Sequence, residues 1–180
     1  MTNIKKRDVI ITMLVAGLVY MLNQRTAIYQ CAAIFTAILF IVNTRLLSGT
    51  ASSAYKTLIG AMALSIPLYL YSIAGTAFSV QMTAISLISL LVSGCVSIYI
   101  TNTLSNKYSF PVSLFMALLV VAMIDGLIMK SYFTAFEVFS LEKIGSIFGR
   151  ELLFKICYAF VVSIITYAIG TYSSQEGVKD

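Results

Sequence analysis

A chain of 180 residues that is 59% apolar and 11% charged, with a mean hydropathy of +0.94, has too little polar surface to fold as a soluble domain. Lipid must be its solvent, and unbroken apolar blocks in place of alternating strands exclude a membrane β-barrel. The net charge of +5 follows from an uneven spread of Lys and Arg over loops and calls for no nucleic acid, while the absence of His removes the commonest metal ligand and proton shuttle.

Six apolar blocks run in chain order over residues 9–22, 26–42, 58–74, 80–100, 112–129 and 152–172. The expected fold is an all-α membrane protein, a single domain of six transmembrane helices with a weak first one and both termini cytoplasmic. Lys5, Lys6 and Arg7 imitate the start of a signal peptide, but no small-x-small cleavage site follows, so block one reads as an uncleaved helix. It is short, and its span can extend into Asn23 and Gln24. Only Asn23, Gln24 and Arg25 separate it from block two.

Block two ends on Asn43, Thr44 and Arg45. Read plainly this is a helix-end cluster; read functionally, it lines a cavity from the cytoplasmic side. Pro67 inside block three predicts a kink that frees the carbonyl of Ala63. In block four, Ser93-x-x-x-Ser97 has the small-residue spacing of close helix contacts, as does Ala33-x-x-x-Ala37 in block two. Pro111 marks the start of block five. Cys31, Cys95 and Cys157 lie in or beside apolar blocks without paired spacing, which suits packing residues.

With six spans, Lys5, Lys6, Arg7, Arg45, Lys56, Lys107 and Lys179 share one side. Arg25, Lys130, Lys143 and Arg150 share the other, where Glu137, Glu142 and Glu151 are interleaved. This bias puts the termini in the cytoplasm. The stretch 130–151 alternates aromatics with charges, and Phe133, Phe136, Phe139, Leu141, Ile144, Ile147 and Phe148 recur at near-helical spacing. An outer amphipathic loop is expected there, carrying a helix or cap that lies on the outer surface, either a connector or a lid.

Asp125 carries the strongest functional signal, because a carboxylate in hydrocarbon costs about 2.5 kcal/mol or more at mid-bilayer. It lies about four residues before the end of block five, and Lys155 about four residues into block six, so antiparallel helices set both about 6 Å inside the same face. Two readings stand: an ion pair that locks the last two helices, or a carboxylate that accepts adjacent N–H donors of a ligand. Gly126 allows a flat ligand or a backbone to come close. Glu151 shares a helix face with Lys155. There is no nucleophile–base pair, metal cluster or phosphate-cradling glycine loop, so no enzyme activity, cofactor or metal is expected.

The stretches FTAILFIVNTRLLSGTASSAYK, VSLFMALLVVAMIDGLIM and ELLFKICYAFVVSIITYAI together resemble the vitamin-uptake-like transporters that include the queuosine precursor transporters. The resemblance spans residues 23–172 as a likeness of layout with scattered residues. It places Asp125 and Lys155 at positions that line the substrate cavity and matches Gly49 to a motif glycine. Val42 and Leu46 stand where that family has acidic residues, and the last helix lacks its usual proline. The implied ligand is a 7-deazaguanine such as preQ0 or preQ1. The fold is also similar to substrate-binding subunits of energy-coupling factor importers.

The expectation is therefore an inner-membrane transporter of a small purine-like metabolite, with Asp125, Lys155, Glu151, Asn43 and Gly126 as substrate-binding residues. Its partners are the lipid bilayer and that metabolite, with a second copy of the chain or an energising subunit also compatible. The alternatives are a non-transporting assembly or accessory protein and an energy-coupling factor subunit.

Overall fold

Residues 2–24, 27–72, 77–138 and 140–176 are described by the computed structural model, and every regular element among them is an α-helix. In order these are α1 (Thr2–Gln24), α2 (Ile28–Ser48), α3 (Ala51–Ser72), α4 (Ala77–Leu104), α5 (Phe110–Ala135) and α6 (Leu141–Glu176). Four of them are long and apolar enough to cross a membrane, over Ile28–Leu47, Val80–Leu104, Phe110–Ala135 and Leu141–Ile169. The chain is a multi-pass membrane protein by that criterion. Apolar residues cover the exterior as well as the core, for instance Ile10, Met13 and Leu14 on α1 and Phe160, Val161 and Ile164 on α6. A helix that is hydrophobic all round belongs in lipid or in a core.

Polar clamps set the helix directions. The Arg45 guanidinium near the end of α2 donates to the Asp8 carboxylate near the start of α1, and to Ser53 Oγ near the start of α3 at 3.0 Å. At the other end, Asn23 Nδ2 donates to the Tyr69 hydroxyl at 2.8 Å, and that hydroxyl donates to the carbonyl of Val19. So α1 and α3 run parallel and α2 runs against them. Asn43 Nδ2 reaches Ser97 Oγ at 2.8 Å late in both α2 and α4, which makes those two parallel. The face on which α1 begins thus also holds the ends of α2 and α4 and the starts of α3 and α5. Arg45 is buried in its ion pair, a structural use of a charge that otherwise reads as a topology signal.

The core is packed with large aliphatics, among them Val15, Val19, Ile38, Leu39, Leu58, Leu90, Ile98 and Leu114, all fully buried. Small residues bring backbones together. A Cβ on Gly94 of α4 would lie 2.5 Å from Leu58 Cδ2 of α3.

Several boundaries differ from the expected ones. The first helix is 23 residues long, because it takes in the charged turn before Val9 as well as Asn23 and Gln24. Thr26 and Arg25 lie outside the described residues, as do residues 73–74 at the end of block three, and Lys179. The third helix starts at Ala51, where Thr57 Oγ1 donates back to the carbonyl of Ser53 at 3.0 Å, and it continues through Pro67. Pro111 sits in the first turn of α5, as its position predicts.

The stretch 130–151 is not a separate outer amphipathic loop. Its first residues finish α5, its last eleven begin α6, and the connector is only residues 136–140, with Phe139 outside the described residues. Glu137, at φ 50°, turns the chain in the left-handed region. The reason for the continuity is periodicity: Ile144, Phe148, Glu151 and Lys155 recur every three or four residues and form one unbroken face. Gly145 and Gly149 weaken that helix without breaking it, since a glycine costs about 1 kcal/mol against alanine.

The tight α3–α4 contact gives a stability prediction. Gly94→Ala should destabilise the fold by about 1–3 kcal/mol through overpacking against Leu58. Thermal unfolding in detergent measures it, and no loss of stability would show that Leu58 moves aside freely.

Candidate functional site

Besides Arg45, the buried charges lie between α5 and α6, where Ser89 of α4 joins them. Asp125 lies on the inner face of α5, in line with Leu114, Leu118, Val121 and Ala122, and is 6% exposed. Lys155 lies on the inner face of α6 and is 3% exposed. Its ammonium does not reach for water. It donates to Asp125 Oδ2 and to Glu151 Oε1, the latter at 2.6 Å from one turn earlier on the same helix. Asp125 Oδ1 accepts from the Ser89 hydroxyl of α4. The Lys155 ammonium also sits 4.4 Å from the centroid of the Phe35 ring of α2, a cation–π contact that steers it from the fourth side.

The cluster holds two carboxylates and one ammonium, so with all three ionised it carries one net negative charge. Asp125 has a partner on each oxygen. Glu151 is the open end, with its side chain 20% exposed. Two ions out of water are tolerable only with such pairing and hydrogen bonding.

Gly126 does what a glycine at that point allows, with a partner from within the chain. A Cβ there would lie 2.3 Å from Phe148 Cε2, so the edge of the Phe148 ring packs directly against the α5 backbone beside Asp125. Phe148, Glu151 and Lys155 project from one face of α6, placing an aromatic ring, a carboxylate and an ammonium in a row. A shallow cleft lined by Gly126, Met129, Lys130, Phe133, Ile144, Ile147, Phe148 and Glu151 opens beside them and has room for about one water molecule. The Lys130 ammonium lies 5.7 Å from the Phe148 ring centroid, on the rim.

Four of the five expected site residues, Asp125, Lys155, Glu151 and Gly126, therefore come together. Asn43 does not join them. It is fully buried and bonded to Ser97, two turns or about 12 Å along α4 from Ser89. Ser89, Phe35 and Phe148 are participants that sequence reasoning missed. Ser89 had a signal, since Ser89, Ser93, Ser97 and Thr101 recur every fourth residue and all four are fully buried. Phe35 and Phe148 had none beyond their helical spacing.

Comparison with protein-family models, with curated proteins and with solved structures finds no match. The site's chemistry has to be read from its own geometry.

The ion pair is testable by a double-mutant cycle. Lys155→Met leaves the buried Asp125 carboxylate without its cation and should cost about 3–5 kcal/mol. Adding Asp125→Asn should recover a large part of that loss in detergent-solubilised unfolding. Additive losses would show that the two side chains do not interact.

Proposed function

We propose that the chain is a small transporter that moves a flat, nucleobase-like metabolite across a bacterial-type inner membrane, with six helices crossing and both termini cytoplasmic. The substrate favoured by the resemblance is a 7-deazaguanine such as preQ0 or preQ1. The observation that carries this reading is the pair of internal stand-ins beside each other on α5. An ammonium bonds Asp125 where the adjacent N–H donors of a pyrimidinone edge would bond. The edge of an aromatic ring fills the space over Gly126 that a flat heterocycle would enter. Both stand-ins belong to α6, so one movement of that helix would free Asp125 Oδ2 and the space over Gly126 together, and the ligand's second donor would replace Ser89 on Oδ1. The geometry fits a closed state in which the protein's own groups fill the site. Lys155 keeps Glu151 as partner when Asp125 turns to the ligand, so no bare ammonium is left in lipid.

A second reading has an observation of its own. The cleft holds about one water molecule, and Asp125 is fully partnered, as suits a static lock between α5 and α6 in a non-transporting assembly protein. A binding subunit of an energy-coupling factor importer would share the transporter's site and differ only in needing an ATPase partner.

Cells unable to make 7-deazaguanines separate these readings. Supplied with preQ0 or preQ1, cells expressing the wild-type chain should regain queuosine in tRNA, and Asp125→Asn should abolish the rescue at equal membrane abundance. No rescue by membrane-inserted wild type overturns the substrate. Full rescue by Asp125→Asn removes Asp125 from binding, and rescue only when an ATPase module is present assigns the importer-subunit reading.

A further inference from the structure

One buried polar feature lies outside the charged cluster. Ser89, Ser93, Ser97 and Thr101 form a hydroxyl stripe on α4 that is fully buried along its length. At one turn per step it extends about 18 Å from the Asp125 site toward the face on which α1 begins. Ser89 ends it at Asp125, and Ser97 is bonded to Asn43. Carrying the α4–α5 register from Ser89 and Asp125 down the antiparallel pair sets Thr101 across from Ser113, which is also fully buried. Beyond Thr101 the chain is exposed at Asn102, Thr103 and Ser105.

Two hydroxyls of this stripe, like that of Tyr132 elsewhere, are bonded differently from most others in the bundle. Thr36, Ser113, Ser163 and Thr166 each donate to the carbonyl four residues back, the ordinary way for a helix in lipid to satisfy a hydroxyl. Ser93 Oγ, Thr101 Oγ1 and Asn43 Oδ1 are buried without any protein partner. An unsatisfied buried polar group costs about 1–3 kcal/mol, so two in the stripe and the Asn43 oxygen beside it call for partners that are not protein. Successive hydroxyls about 6 Å apart are separated by the span of two hydrogen bonds through a single water.

We infer that the α4 stripe is a water-filled proton path between the Asp125 site and the face on which α1 begins, making a proton the coupling ion of transport. The inference rests on the transporter reading and names its energy source. The groups facing Asp125 are Lys155 and Glu151 of α6, with Cys31 of α2 close enough to feel the cluster. A proton enters from the cleft onto the Glu151 carboxylate and passes to Asp125. There an O–H bond forms as the Lys155 hydrogen bond to that oxygen breaks. Lys155 keeps its three protons and its bond to Glu151, and the net charge of the cluster goes from minus one to zero. The Ser89 hydroxyl turns from Asp125 Oδ1 and hands its proton to the first water, and the Asp125 carboxyl rotates to give its own proton to the Ser89 oxygen so vacated. Each water and hydroxyl repeats the exchange until one proton leaves beyond Thr101.

The test uses the full chain in liposomes loaded with a pH-sensitive dye, with a potassium diffusion potential imposed by valinomycin and preQ1 outside. Proton flux above that of protein-free liposomes is expected for wild type. Ser93→Ala should lower it by about tenfold or more, the scale on which a lost proton-transfer group is felt. Because the Ser93 hydroxyl bonds no protein atom, this substitution breaks no helix contact, and unfolding should be unchanged. Ser105→Ala, in the exposed turn after α4, should leave flux intact. Wild-type flux equal to that of empty liposomes, or a Ser93→Ala flux equal to wild type, overturns the inference. Uptake of labelled preQ1 in the same liposomes is scored separately. Uptake without proton movement sinks the path and leaves the transporter standing, whereas proton flux without uptake sinks the substrate and keeps the path.

Discussion

In a low-dielectric interior a carboxylate and an ammonium must satisfy one another, and the Asp125–Lys155 bond is the contact on which the second half of the bundle depends. It draws α6 onto α5, and Ser89 on the other carboxylate oxygen draws in α4. Phe35 holds the ammonium from α2. Four helices thus share one charge cluster. Between helices in lipid there is no hydrophobic drive, since the acyl chains are as apolar as leucine, so such polar contacts decide which faces meet. The same logic governs the other half, where Arg45, Asp8 and Ser53 gather one end and Asn23, Tyr69 and Val19 the other.

What these two halves do differs. The Arg45 clamp is half open to water through Asp8, whose side chain is 41% exposed, and it closes a helix end. The Asp125 cluster lies deeper and holds a surplus of negative charge beside an aromatic ring that rests on a glycine. A purely structural ion pair needs neither the second carboxylate nor the ring. Both sit on one face of α6.

Much of this was legible in the sequence, and the legible parts share a physical cause. The helices show in the chain because lipid demands long apolar runs, and the shared depth of Asp125 and Lys155 follows from rise per residue and antiparallel order, while their facing one another is set by how α5 and α6 pack. Two places misled. The aromatic, charged stretch after Met129 has the composition of a surface loop, yet its periodicity continues into α6, and periodicity prevails over composition in deciding whether a helix stops. Asn43 sat at a helix end beside charged neighbours and suggested a cavity wall, but its partner Ser97 is set by how α2 lies against α4, which no local pattern contains. The stripe from Ser89 to Thr101 was visible as spacing, and only burial gave it meaning.

The length of α6 has a consequence of a different kind. Thirty-six residues make a rod about 54 Å long against a hydrocarbon core of about 30 Å. Such a helix has to lean or protrude, and the angle at which it settles depends on how thick the surrounding bilayer is. Lys155 lies partway along the rod and is held at its end by Asp125, so it acts as a fulcrum, with Phe148 on the arm nearer the connector. A thinner bilayer asks for a greater lean, so the polar bonds at Lys155 and the packing of Phe148 against Gly126 are what hold the angle of this helix against the lipid.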